Sequence, residues 1–277
     1  MAVSIVLYLC FMSKRKHFSD KVVWVTGASS GIGKELCIQL SDYGAQLILS
    51  SRNEEALHTL RKELPSSNRH IVLPLDLTQS RTFDEVVTSL TNQVNRIDIL
   101  IQNGGVSQRA TAFDASEDVI RRIMEVNFFG NILLTKSVLP ILRKNKAQIL
   151  VISSIAGKFG FFLRSSYSAS KHALHGFYES LALEEEKNGI SVTMACPGKI
   201  NTPISQNALS ADGKKHGEMD HNQETGMSVE DCVSQLLDAL SKRKREVLIG
   251  NKEINAVTLR RFFPSLFWKI IKNQSAT

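Results

Sequence analysis

Cysteine is scarce and scattered: Cys10, Cys37, Cys196 and Cys232 are the only four in 277 residues. No two of them stand at the short spacing that metal-ligand pairs use, and their separation gives no disulfide framework. They read as buried free thiols, small and apolar. Long apolar runs are also lacking. The most apolar stretch, Met1 to Met12, falls short of the roughly 20 residues that a spanning helix needs. No small-residue cleavage pattern accompanies it, and the cluster Lys14-Arg15-Lys16 lies behind it rather than ahead, which argues against a secretory signal. No nucleic-acid recognition motif is present. The basic surplus of 34 Lys and Arg over 27 Asp and Glu, formally +7, is therefore not read as a nucleic-acid footprint.

What is present is an ordinary globular composition, 43% hydrophobic and 22% charged, in a chain long enough for one large α/β domain. Short apolar runs at 22–25, 45–49, 71–75, 97–101, 149–152, 191–195 and 246–249 predict strands. Between them, 34–42, 53–64, 80–93, 117–142, 168–186 and 229–240 predict helices. This alternation predicts a Rossmann-type doubly wound parallel sheet with helices on both faces, ligands being bound at the carboxyl ends of the strands. A single catalytic domain is expected over 18–257, after a leader of 1–17 and before an extension of 258–277. Residues 203–227 break the rhythm, being polar and poor in bulky apolar side chains, and read as a lid or an insertion.

The first strand runs into Thr26-Gly27-Ala28-Ser29-Ser30-Gly31-Ile32-Gly33. Glycines at this place let the backbone approach a pyrophosphate, and the following helix N-terminus offers unpaired N–H groups. With three residues between Gly27 and Gly31, the loop resembles that of the short-chain dehydrogenase/reductase family, which binds NAD(H) or NADP(H). The resemblance continues along the chain. Asp76 and Leu77 match the family position that contacts adenine. Asn103 and Gly104 match its Asn-Ala-Gly signature, with Gly104 in place of Ala. Pro197, Gly198, Ile200 and Thr202 match the segment beside the nicotinamide carboxamide and phosphates. After the second strand, Ser50 and Ser51 offer no acidic side chain for a ribose diol, and Arg52 can pair with a 2′-phosphate. NADP(H) is the expected cofactor, with Ser51 and Arg52 contacting it; an NAD-dependent alcohol dehydrogenase is the alternative.

Tyr167 and Lys171 stand four apart, on one face of a predicted helix. A cation there favours phenolate and makes a better acid–base group of the tyrosine. With Ser154 and Asn127 they match, residue by residue, the catalytic set of the family. The resemblance implies that Tyr167 exchanges a proton with the substrate oxygen and Ser154 polarises it. It further implies that Lys171 holds the ribose and lowers the phenol pKa, and that Asn127 holds a water relaying protons to Lys171. The expected reaction is reversible carbonyl reduction. A noncatalytic dinucleotide-binding module is the rival reading. Val106, Ser107, the apolar stretch with Phe159, Phe161, Phe162 and Leu163, and the segment after Thr202 are candidate walls for an apolar lipid, steroid or retinoid substrate.

The termini suggest a membrane. The apolar leader reads as a short anchor, a packed leader or a signal-anchor. At the other end Phe262, Phe263, Trp268 and their neighbours lie among Arg260, Arg261, Lys269 and Lys272, as in an interfacial segment or a docked terminal helix that Pro264 would break or bend. These features lead to the expectation of a membrane-associated protein of the endoplasmic reticulum, with a cytoplasmic one as the alternative. Assembly as a homodimer or homotetramer is expected from the family.

Overall fold

The structure, a computed structural model, describes residues 12–274. Seven parallel strands form one sheet in the order β3-β2-β1-β4-β5-β6-β7. They are β1 (Val22–Thr26), β2 (Gln46–Ser50), β3 (Ile71–Val72), β4 (Ile99–Gln102), β5 (Gln148–Ile152), β6 (Ser191–Pro197) and β7 (Glu246–Ile249). The order reverses between β1 and β4, the switch point at which doubly wound sheets bind ligands.

The strands are short apolar runs because both faces are covered. Val23 and Val25 face one core layer with Leu36 and Leu40 of α1 (Gly31–Asp42), Leu57 of α2 (Glu54–Glu63) and Leu236 of the later helix Val229–Ser241. Val22 and Trp24 face the other layer, with Phe83 of α3 (Phe83–Thr91) and residues of the two long helices that follow. Expected and observed elements differ where local chemistry intervenes. β3 proper is Ile71–Val72, shorter than the expected 71–75, although Leu73 N and Leu75 N still donate to the Leu49 and Ser51 carbonyls, at 2.9 and 3.0 Å, on either side of Pro74.

The helix expected over 117–142 is α4 (Glu117–Met124) and α5 (Gly130–Asn145), joined by a π-helical turn, Glu125–Phe129, that holds Asn127. Gly130 permits the close approach that follows. A Cβ there would stand 2.3 Å from the Leu77 carbonyl oxygen. The next helix, α6 (Ser165–Glu184), starts three residues before the expected 168 and places Tyr167 in its first turn.

The variable region is a folded lobe. It is held by bridges of Gln108 with Leu209 and of Ile200 with Met227, and it carries the single-turn helix α7 (His221–Glu224). The chain continues through α8 (Val229–Ser241) and β7 to α9 (Asn255–Phe262), and Pro264 opens α10 (Pro264–Ile271).

The membrane assignment is corrected here. Among the described residues no helix is long and apolar enough to cross a membrane. The basic flank is packed in part: Lys14 is buried and donates to the Ser234 carbonyl at 2.8 Å, while Phe18 is fully buried beside Tyr43. In α10 Phe267 is 1% exposed and meets Phe159 edge-on at 5.1 Å, so this segment docks on the domain. The apolar leader through Phe11, including Cys10, lies outside the described residues. Cys37, Cys196 and Cys232 are buried free thiols.

Candidate active site

One cavity of about 1930 Å³ runs along the carboxyl edge of the sheet, from the β1–α1 loop to the two C-terminal helices. An ordinary small-molecule site occupies roughly 300–1,000 Å³. The cavity therefore has room for a dinucleotide and a second molecule.

At one end Gly27 has φ +66°, and a Cβ on it would lie 2.9 Å from both Asn103 Nδ2 and Gly104 Cα. Asn103 fastens the two strand ends, donating to the Thr26 carbonyl at 3.0 Å and the Gly27 carbonyl at 3.2 Å. Ser30 makes no side-chain cap on α1, whose first N–H groups stay available at the cavity. This is a cradle that only backbone without side chains leaves open, and it fits a pyrophosphate. Ser29, Ser30, Gly31, Ile32, Ser51, Arg52, Asp76, Leu77, Asn103, Gly104, Pro197, Gly198, Ile200 and Thr202 all line the cavity. Gly33 does not. It lies beneath the loop, where a Cβ would come within 2.1 Å of the Gly27 carbonyl oxygen, so its part is packing. Arg52 is exposed on the cavity, and its side chain has no ion pair or hydrogen bond among the described residues. Ser50, by contrast, is occupied: it accepts from Trp24 Nε1 at 2.8 Å and donates to the Leu73 carbonyl at 2.7 Å.

Ser154, Tyr167 and Lys171 meet near the middle of the cavity. Ser154 follows β5, lines the cavity with Tyr167, donates to the Pro197 carbonyl at 3.3 Å and accepts from Ala156 N at 3.1 Å. Lys171 Nζ donates to the Ile152 carbonyl at 2.8 Å and stands 5.7 Å from the centre of the Tyr167 ring. Burial pulls the Lys171 ammonium down to about 8. The phenol is raised, not lowered: burial outweighs the opposing Ser154 hydrogen bond and the charges of Arg164 and Arg109. The lowered phenol expected from the Tyr-Lys spacing is corrected accordingly.

Asn127 is fully buried behind the lining. Its Oδ1 accepts from Val106 N at 2.8 Å, and its Nδ2 donates to the Val106 carbonyl at 2.9 Å and to Ser170 Oγ at 3.0 Å. A Cβ on Gly105 would stand 3.2 Å from Asn127 Oδ1 and 3.6 Å from Lys171 Nζ, so both polar atoms border one spot.

A family model described as short chain dehydrogenase matches residues 21–213. The chain belongs to the short-chain dehydrogenase/reductase family. Dehydrogenase/reductase SDR family member 7B of Mus musculus is 37% identical over 268 residues, covering 94% of this chain and 83% of the relative. The fold resembles that of a short-chain dehydrogenase/reductase from Burkholderia phymatum solved in complex with NAD, at TM-score 0.78 and 20% identity, over 90% of this chain and 96% of the other. A short-chain dehydrogenase from Burkholderia cenocepacia solved in complex with NADP gives TM-score 0.76 and 23% identity, over 93% and 99%. Family membership carries the general activity: this dehydrogenase is an oxidoreductase that transfers hydride between a nicotinamide dinucleotide and a small carbonyl or alcohol.

Of the expected substrate walls, Val106, Ser107, Phe159 and Phe161 line the cavity. Phe162 and Leu163 do not: Phe162 is exposed, and Leu163, at φ +58°, has its carbonyl taken by Ala110 N. Arg109, Arg164 and, from the last two helices and the residue between them, Leu259, Ile270 and Phe263 also line it. These carry no motif. They converge only through the fold.

Proposed function

We propose that this chain is an NADPH-dependent reductase of an apolar ketone or aldehyde. The observation that carries the proposal is the meeting of Ser154, Tyr167 and Lys171 in the same cavity as the glycine cradle. When bound, the nicotinamide cofactor supplies hydride for the carbonyl carbon.

Tyr167 gives its proton to the carbonyl oxygen as charge develops there, and takes it back in the oxidative direction. Ser154, in the same cavity as the phenol, turns its hydroxyl from the Pro197 carbonyl to the substrate oxygen and steadies the developing alkoxide. Lys171 holds the ribose. The spot bordered by Asn127 Oδ1 and Lys171 Nζ supports a proton path between them, and the remaining bonds of Asn127 fix the π-turn to the loop after β4. Gly27, Ser29, Ser30 and Gly31 hold the pyrophosphate, Asp76 and Leu77 the adenine, and Ile200 and Thr202 the nicotinamide end.

Arg52 is the reason for choosing NADPH: an exposed guanidinium on the cavity, with no partner among the described residues and no acidic side chain at Ser50 or Ser51, favours a 2′-phosphate. Phe159, Phe161, Leu259, Phe263 and Ile270 support an apolar substrate, of which lipid, steroid and retinoid carbonyls are the first to try. The catalytic domain spans 18–257, with 258–277 as an extension whose residues between Thr258 and Gln274 contribute to the pocket wall. Phe129 and Leu183, exposed on the π-turn and on α6, support assembly as a homodimer or homotetramer.

The test is consumption of NADPH, and separately of NADH, over aldehydes, ketosteroids, retinal and small diketones. At least one apolar carbonyl should be reduced with NADPH preferred, and Tyr167→Phe should lower that rate about 10²- to 10⁴-fold. Equal use of NADH would remove the Arg52 argument, and a variant as fast as wild type would remove Tyr167 from the chemistry.

A further inference from the structure

Arg109 and Arg164 line the same cavity as Tyr167, and both bond Asp220. The side chains of Arg109 and Asp220 are 2% and 1% exposed, and that of Arg164 is 13% exposed. Arg109 Nε donates to both Asp220 oxygens, at 3.2 and 3.0 Å, and a second guanidinium nitrogen of Arg109 also bonds Oδ2. Arg164 donates to the same Oδ2 at 2.8 Å. Each member is fixed from behind: Arg109 donates to Ser107 Oγ at 3.0 Å, Arg164 donates to the Phe162 carbonyl at 3.1 Å, and Asp220 N donates to Ser205 Oγ at 3.1 Å. The members come from three parts of the chain, the loop after β4, the start of α6 and the variable lobe.

We infer that Arg164 and Arg109, clasped by Asp220, are positioning residues that set the readiness of Tyr167 to release and regain its proton. Through Asp220 the variable lobe then governs the proton step as well as the pocket wall. The inference rests on the reading of Tyr167 as the proton donor. Its electrostatic basis is that Arg164 and Arg109 are the cations opposing the effect of burial on the phenol, Arg164 the stronger. The other charged groups around this part of the molecule are Lys171 on the same helix, Arg122 of α4, Lys199 and Glu253 after β6, and Lys215 of the lobe, all lining the cavity. Lys199 Nζ is engaged by Asn222 Oδ1. A clasp that only tied the lobe down would affect stability and leave the phenol where it was.

The measurement is an ultraviolet difference titration of the phenolate in the cofactor-free full chain. Tyr167 is isolated by subtracting the Tyr167→Phe curve. Arg164→Gln, which leaves the Arg109–Asp220 pair intact, should move the Tyr167 titration upward by about one pH unit, and Arg164→Lys should restore it. Asp220→Asn should move it downward; if that variant does not fold, the two Arg164 variants decide. An unmoved titration in folded Arg164→Gln overturns the inference, whatever happens to its melting temperature. The two readings fail separately. Full activity of Tyr167→Phe on a carbonyl that wild type reduces removes the donor assignment, whereas an inactive Tyr167→Phe with an unmoved Arg164→Gln titration removes only the role of the clasp.

Discussion

Lys171 shows how a residue chosen for chemistry weighs on the fold that holds it. Its ammonium is fully buried with one carbonyl partner, and burial brings its pKa to about 8, against about 10.4 for a free lysine. The unfolded chain therefore binds this proton more tightly, and between about pH 8 and 10 stability gained from Lys171 rises as pH rises. Below that window the charged group costs on the order of 3 kcal/mol. The thiols of Cys37, Cys196 and Cys232, raised by burial, act in the opposite direction from about pH 8.5, and the raised phenols of Tyr167 and Tyr178 join them above about pH 10. Urea unfolding at pH 7 and pH 9.5 should show Lys171→Met losing more stability between the two pH values than wild type, because the thiols weigh on both proteins alike and only wild type carries the Lys171 gain. Equal changes in both proteins would mean that Lys171 makes no such contribution. At this scale the sequence was informative where residues sit in order at strand ends: the glycine loop, Asp76, Asn103 and the Tyr-Lys pair. It was silent on Arg109, Arg164 and Asp220, whose separations of 56 and 111 residues leave no local signal.

Among the elements, the long helix is where pattern and structure part. Apolar spacing predicts a helix from 117 to 142 and cannot register the one extra residue of a π-turn, because the buried stripe resumes on the same face beyond it. The turn sets Asn127 against Val106, and Gly130 lets α5 press on the backbone of Leu77. Gly130→Ala would push a methyl toward that carbonyl, and backbone cannot yield as a flexible side chain does. We expect a loss of about 1–3 kcal/mol in urea unfolding. A loss below half of that range would show that α5 can shift freely. The strands were legible because burial on both faces makes each a continuous apolar run; beyond Val72 the expected β3 keeps only the single bonds of Leu73 N and Leu75 N to β2 and its loop.

For the molecule as a whole, the doubly wound sheet follows from the alternation of elements, while the use of the C-terminal extension does not. Basic and aromatic residues crowded together read as an interfacial segment when nothing is known of their partners. Folded, the same residues become two helices with Phe267 against Phe159, Arg260 over the Phe267 and Trp268 rings, and Phe263 and Ile270 on the cavity. Deleting 258–277 should open the substrate half alone. The expected result is a KM for the apolar carbonyl raised about tenfold or more, as lost apolar contacts of about 1.4 kcal/mol would give, with NADPH affinity by fluorescence titration little changed. Loss of NADPH binding in parallel would show that the extension supports the whole site.

The central claim, hydride transfer from NADPH with Tyr167 as proton donor, is tested most directly by a single turnover with NADPH carrying deuterium at the transferable C4 position. Wild type should place the deuterium on the new carbinol carbon, and Tyr167→Phe should slow that transfer by about 100-fold or more. Product without the label, or transfer by Tyr167→Phe at the wild-type rate, would contradict the account.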